Sequence, residues 1–346
     1  AGPFLQGPID DPVDIATESD LLNVFGEPQN TDAQYEYWMS ASSYLSYGGV
    51  LKVVRADDAD LKNANAGVGI ANTTTLKIKN YDDYSNNYDT ATDFTYAAKN
   101  PGSWSNNLKV CYIDDFADQT LGITTTNIAG FGATVGMGIT AAVTGVLPGA
   151  GTTAVFTGYV KGIITGATND TGGASKLDVK IVSRVSSAGV ETQIDYAEGD
   201  GFASFDTSDS VFFTSDVGNV TAAQTPTTVV DWYDQQTLGL TNSTVYWSTL
   251  APKPGTSVYV SDRQGKNDQL HIAVVDDTGD VTGVPGNILE KFTGLSKAKD
   301  AKVSPSQMIY WKDSLAQRSE YVYGGHVGAG VSAGITAIAG GYTWSP

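Results

Sequence analysis

The sequence predicts a multidomain α+β fold: an α/β segment, a β-rich middle domain with short helices, and an inserted small antiparallel β-barrel or sandwich. Three observations predict it. The 346 residues leave room for two or three domains of ordinary size. Helix-start signals cluster in the first 58 residues, each followed by an apolar run. The stretch 118–230 is rich in Gly, Thr, Ala and Val, with short strand-like runs between Gly, Asn and Asp turns. The expected boundaries are 1–58 for the α/β segment, 59–117 with 231–346 for the middle domain, and 118–230 for the insertion.

The elements follow in order. Pro12–Ala16 alternates like a strand. Thr17-Glu18-Ser19-Asp20 has the form of a capping box, with Thr17 as N-cap. Leu21, Leu22, Val24 and Phe25 follow, and Gly26 stands where a helix-ending glycine belongs, so a helix is expected over 18–25. Thr31-Asp32-Ala33-Gln34 is a second capping box. Tyr35, Trp38, Met39, Ser42 and Leu45 then fall at helical spacing, and Gly48-Gly49 closes the helix. That aromatic stripe reads as core or subunit contact. Val50–Arg55 reads as a largely buried strand. Thr74–Ile78 alternates as a strand, Leu108–Ile113 is another, and Asp82 to Asn107 reads as loop with a turn at Asn100-Pro101-Gly102-Ser103.

Within the insertion, strand runs are expected at Ala133–Ile139, Thr153–Tyr159, Leu177–Val182, Glu191–Tyr196 and Ser210–Thr214. Regular short strands without a helix pattern point to a barrel or sandwich. Beyond it, Ser257–Val260 and Gln269–Val275 read as strands and Ile288–Phe292 as a short helix. Ser304-Pro305-Ser306-Gln307 reads as a helix start, carried on by Met308, Tyr310, Trp311 and Leu315. Tyr321–Tyr323 is a strand, and the Gly/Ala-rich end is expected to add no closing element.

Composition excludes several classes. Asp and Glu number 38 against 20 Lys and Arg, a net charge of −18, which lacks the basic footprint of a nucleic-acid binder. A single cysteine, Cys111, excludes an intramolecular disulfide framework and a Cys₂ or Cys₄ metal site. The uncharged stretch Gln119–Val160 is dense in Gly and Thr and contains Pro148, so it reads as strands and turns rather than a membrane span. The chain opens Ala1-Gly2-Pro3 with no basic region and no Met, which reads as a trimmed chain.

Chemical motifs are few. Gly130–Gly136 is G-x-G-x-x-x-G in β texture, off by one from the dinucleotide pattern, and Gly328-Ala329-Gly330 with Gly334 has the same fault. Gly330-Val331-Ser332-Ala333-Gly334 matches a nucleophile elbow by letter, yet no Asp, Glu or His follows Ser332. His271 alternates with apolar residues and reads as structural; His326 reads as an interface or surface residue. Asp pairs recur at 10–11, 57–58, 82–83, 114–115 and 276–277. Asp276-Asp277-Thr278-Gly279-Asp280 superficially suggests a calcium loop but departs from the EF-hand spacing, and turn chemistry accounts for it. No catalytic, cofactor-binding or metal-binding residue is assigned, and no cofactor is expected.

Gly2-Pro3-Phe4 and Gly7-Pro8, then Asp20–Pro28, Tyr37–Ala41, Tyr44–Gly48 and Leu51–Ala56, form a nearly contiguous motif. Asn100-Pro101-Gly102-Ser103-Trp104-Ser105-Asn106-Asn107-Leu108 has the form N-P-G-x-W-x-N-x-L. Trp311-Lys312-Asp313 through Arg318-Ser319-Glu320-Tyr321-Val322 makes a helix-to-strand segment. Together these resemble the sheath proteins of contractile bacteriophage tails, most of all those of T-even-like myoviruses, with cyanophages as a candidate source. The resemblance covers about half the chain and leaves 118–230 unmatched.

The resemblance implies a structural virion protein that is not an enzyme. Sheath subunits stack as hexameric rings around a tail tube and contract when the baseplate fires, driving the tube through the host cell envelope. The implied partners are other sheath subunits in the same and neighbouring rings, the tail tube protein, the baseplate and the tail terminator. Nucleic acid and direct membrane insertion are not implied. The implied location is the phage tail, and the host cytoplasm during assembly. Family members exchange strands through terminal arms. Residues 1–58 would be part of the tube-facing domain, whose C-terminal half is expected beyond residue 346, and this chain by itself is expected to be monomeric or weakly associated in dilute solution.

Two other readings stand beside it. Six Trp, 18 Tyr and the Asp pairs suit a carbohydrate-active or carbohydrate-binding β-rich virion protein, and the Gly/Thr-rich insertion suits an adhesin-like module. The enzyme needs two carboxylates about 5–10 Å apart across one cleft. The adhesin needs an exposed aromatic platform on the insertion. The sheath needs 1–58 packed beside 300–346 and open strand edges.

Overall fold

A computed structural model describes residues 1–29, 34–124, 128, 133–146, 155–169, 175–214, 223–328 and 333–342. The chain forms two compact units: Ala1–Asp114 with Leu238–Val245 and Pro254–Pro346, and Asp115–Thr237 with Tyr246–Lys253. At a coarse level the fold is mixed α+β, strand-rich with few short helices.

The first unit opens with β1 (Val13–Ile15), α1 (Glu18–Phe25), α2 (Gln34–Leu45) and β2 (Leu51–Val53). The expected capping box is present: Thr17 Oγ1 accepts from the Asp20 N–H at 3.1 Å, and the Asp20 carboxylate accepts from the Thr17 N–H at 2.9 Å. Gly26, at φ +77°, ends α1 in a conformation that costs other residues strain. α2 buries Gln34, Trp38, Ala41 and Leu45, one face of a 3.6-residue period. Its expected N-cap, Thr31, lies outside the described residues. β1 and β2 pair antiparallel, Val13 opposite Val53.

β3 (Asn65–Ala66), β4 (Tyr96–Ala98) and β5 (Leu108–Asp114) come next. The expected strand at Thr74–Ile78 is corrected: the segment joins no ladder. Leu76 and Ile78 are buried, and Asn63 supplies the pairing instead. Its N–H bonds Leu76 O at 2.9 Å, and its Oδ1 accepts from the Ile78 N–H at 2.7 Å. The region read as loop contains α3 (Tyr81–Asp83), capped by Asn80 and continued as a π-helical turn through Tyr84–Tyr88.

The second unit holds β6 (Gln119–Ile123), β7 (Gly138–Val146), β8 (Val155–Thr168), β9 (Ser175–Ser186), β10 (Glu191–Gln193), β11 (Val211–Thr214) and β12 (Thr228–Asp231). They form one antiparallel sheet in the order β11-β7-β8-β9-β6-β12, with β10 beside β9. Of the expected barrel or sandwich, the barrel is corrected: among the described residues the end strands β11 and β12 do not pair and the sheet is not closed. β7, β8 and β9 run longer than expected, while β10 and β11 are shorter. Glycines that read as turns lie inside β8, and Gly162 sits at a bulge where a Cβ would come within 2.7 Å of Val179. One face buries Leu121, Ile139, Val160, Ile164, Val179 and Phe213.

Returning to the first unit, α4 (Val258–Ser261) replaces an expected strand. Ser257 decides it: its Oγ accepts from the Val260 N–H, while its own N–H and Oγ–H bond the Asp268 carboxylate at 2.7 and 2.8 Å. β13 (Gln269–Asp276) follows, then β14 (Asn287–Ser296), which replaces the expected helix at Ile288–Phe292. Pairing with β13 outweighs local propensity there, with Phe292 opposite Ile272. The expected helix start at Ser304-Pro305 is instead the turn between β15 (Lys302–Ser304) and β16 (Gln307–Met308), and α5 (Trp311–Arg318) begins later. β17 (Val322–Gly324) and β18 (Ala333–Ala337) complete the unit, so the C-terminal stretch does add a strand.

Two sheets organise this unit, β14-β13-β5-β18 and β17-β4-β3. Val110, Ile272, Val274, Phe292, Trp311 and Leu315 share its main core. Ser319 links α5 to β17: its Oγ donates to Glu290 at 2.6 Å and accepts from the Val322 N–H at 2.9 Å.

Candidate assembly surface

The three resembling segments meet in the first unit, and Arg55 joins two of them. It is 1% exposed, and its guanidinium donates to the carbonyls of Phe4 (2.8 Å), Leu5 (2.8 Å), Gly7 (3.1 Å) and Pro101 (2.6 Å). Burial depresses its pKa and the charge of Asp57 opposes that. One planar fork thus holds the N-terminal turn against the Asn100–Ser103 turn. Gly102 stands at the contact, at φ +140°, where a Cβ would come within 2.9 Å of Leu5 O. The third segment adjoins through the Trp104–Tyr321 ring pair, 6.4 Å between centroids, and through the Lys99 N–H to Tyr321 O bond. Sequence reading missed the role of Arg55, because its partners are backbone oxygens and leave no side-chain signature.

The outer side of this assembly is aromatic. Tyr35, Tyr37, Met39 and Tyr44 on α2 are exposed, and Tyr47 just beyond it is 91% exposed. Gly48, at φ +80°, turns the chain directly after Tyr47. No charged residue occurs from Tyr37 to Leu51. β1 and β2 form a two-stranded sheet, so each keeps an edge with no strand beside it among the described residues. Pairing with the C-terminal stretch starts just past residue 58, through the bridges Lys62–Tyr342 and Asn65–Ala339.

A cavity of about 270 Å³ opens elsewhere in the same unit. Tyr96, Tyr112, Tyr310 and Trp311 wall it, and Asp114, Lys297 and His326 bring polar groups to it. Lys297 Nζ lies 2.9 Å from Asp114 Oδ2. Its residues come from six separate stretches of chain, which is why no motif announces it. It offers one carboxylate, where glycoside hydrolysis needs two.

The acidic residues at 115–118 and 276–277 are engaged by hydrogen bonds and ion pairs. Asp276 accepts from the N–H groups of Gly279, Val281 and Thr282, as turn chemistry requires. Asp277 takes Lys109 and Thr241. Burial alone would raise the Asp277 carboxyl, but those bonds outweigh it and hold it below the usual range. Asp115 and Asp118 bind Lys180 and Lys253 in the second unit. Among the described residues no group of three His, Cys, Asp or Glu side chains could hold a metal ion.

His271 is buried, its Nδ1 accepting from the Gly294 N–H at 3.0 Å, and His326 is exposed. Cys111 is buried with its thiol on Leu238 O, and burial pushes it up to about 12. The second unit's sheet exposes one aromatic, Tyr159, beside Ile163 among the described residues. Residues 130–132 and Ser332, from the glycine-rich motifs, lie outside the described residues. No helix among the described residues is long and apolar enough to cross a membrane.

No family model matches the chain. A curated relative is the tail sheath protein of Enterobacteria phage T4, 43% identical over 70 residues, which is 20% of this chain. The match spans only 10% of that relative's length. The similarity is local, and it suggests a tail sheath relationship and a virion location.

Proposed function

We propose that the protein is a structural subunit of a contractile tail sheath, polymerising as stacked hexameric rings around a tail tube and contracting to drive the tube through the host envelope. The local identity to the phage T4 tail sheath protein carries this reading. The Arg55-clamped assembly of the resembling segments, the uncharged aromatic surface of α2 and the open edges of β1 and β2 support it. The open edges suit strands donated by neighbouring subunits. In this reading the partners are other copies of the subunit, the tail tube, the baseplate and the tail terminator. The work comes from a strained lattice relaxing to a lower-energy packing, with no catalytic step.

Electron microscopy of the gene product that carries this sequence tests the proposal. Tubes or stacked rings of regular diameter are expected. Particles without regular order under every assembly condition would sink it.

A further inference from the structure

We propose that the aromatic cavity of the first unit is a socket for Tyr47 of a second copy of this chain. The inference rests on the subunit reading above and names one contact within it. Four features point to this occupant.

Size comes first. At about 270 Å³ the cavity falls below the roughly 300–1,000 Å³ of small-molecule pockets, which suits one inserted side chain. Its surface chemistry comes second. Tyr96 and Trp311 are buried at the cavity, with Tyr112 and Tyr310 half-buried, so an entering ring meets ring faces and edges. Asp114, Lys297 and His326 give a phenol hydroxyl both acceptors and donors. Gly324 leaves room for the Trp311 ring that walls the cavity: a Cβ there would come within 2.7 Å of that ring.

The third feature is the knob. Tyr47 is 91% exposed, the most exposed large hydrophobic side chain among the described residues. The fourth is charge. Each copy carries −18, so identical copies repel unless they meet through neutral surface. Tyr37 to Leu51 is uncharged, and the cavity's Asp114 and Lys297 already neutralise each other. The ring can therefore enter without stranding a charge. Every residue lining the cavity lies at or beyond Tyr96 in the chain, so knob and socket are different patches. A contact between different patches is head-to-tail, and it propagates into rings or filaments rather than closing as a two-fold dimer.

Two experiments decide the matter. In the first, N-acetyltyrosinamide is titrated into protein carrying fluorine-labelled tryptophan. A saturable shift of the Trp311 resonance is expected, and its absence up to the solubility limit overturns the socket. In the second, Tyr47→Cys protein is mixed with His326→Cys protein under mild oxidation at high concentration, with Cys111 buried and silent. A 47–326 disulfide between copies is expected, at least tenfold above a Tyr44→Cys control. A yield no higher than that control overturns Tyr47 as the occupant even if the free probe binds. Regular tubes that assemble unchanged from Tyr47→Ala protein would overturn this contact while leaving the sheath reading intact; disordered material from the unsubstituted protein would instead count against the sheath reading.

Discussion

Arg55 satisfies four carbonyl oxygens from two distant turns without a side-chain carboxylate among its hydrogen-bond partners. Arg55→Met removes the donors and leaves buried acceptors unmet, at about 1–3 kcal/mol for each group left dry. A loss of at least about 3 kcal/mol is expected in urea unfolding. Arg55→Lys should recover little of it, since one ammonium cannot span the fork's contacts. Asp277 makes a pH prediction. Its folded pKa is depressed, so the stability it adds is present above the ordinary carboxylate value of about 3.9 and fades as pH falls through the lower folded value. Asp277→Asn should cost about 1–3 kcal/mol at pH 7, and the gap to the parent protein should close at the acid end of a urea-midpoint series. A gap constant with pH would contradict the ion-pair account.

At the scale of elements, Ser257 shows a cap overriding propensity. Val258-Tyr259-Val260 favours strand by residue type, yet the serine hydroxyl and Asp268 hold it in a helical turn. Ser257→Ala should cost about 1–2 kcal/mol in chemical denaturation, more than Thr17→Ala, because its Oγ also serves buried Asp268. The elements most legible in the sequence were those with local determinants: α1 with its Thr17–Asp20 box, and β5 and β13 with their continuous apolar runs. The misreadings came where distant partners decide. Ile288–Phe292 has helical composition but meets β13, and Leu76 and Ile78 alternate as a strand, yet their backbone bonds the Asn63 backbone and amide instead of a ladder. The acidic turns were legible as turns, since Asp276 needs only neighbours within six residues. The cavity was not, because Tyr96, Asp114, Lys297 and Trp311 converge only after both sheets of the first unit form.

At the scale of the whole molecule, two units with separate cores should unfold in two calorimetric transitions. Asp118 accepts from Lys180, Lys253 and the Ile181 N–H, all within the second unit. Asp118→Ala should therefore lower one transition and Arg55→Met the other. A single transition moved by both substitutions would contradict this independence.

The sheet order β14-β13-β5-β18 also carries a consequence for biosynthesis. β5 leaves the ribosome with its apolar face formed, yet both strands that flank it are encoded beyond the entire second unit. At about 5–20 residues per second, that delay lasts many seconds. The second unit draws nearly all its strands from one continuous stretch and can fold while β5 waits. Vectorial synthesis thus makes the second unit the early folder and the first unit the late one, with β5 as the stretch most in need of a chaperone in the interval.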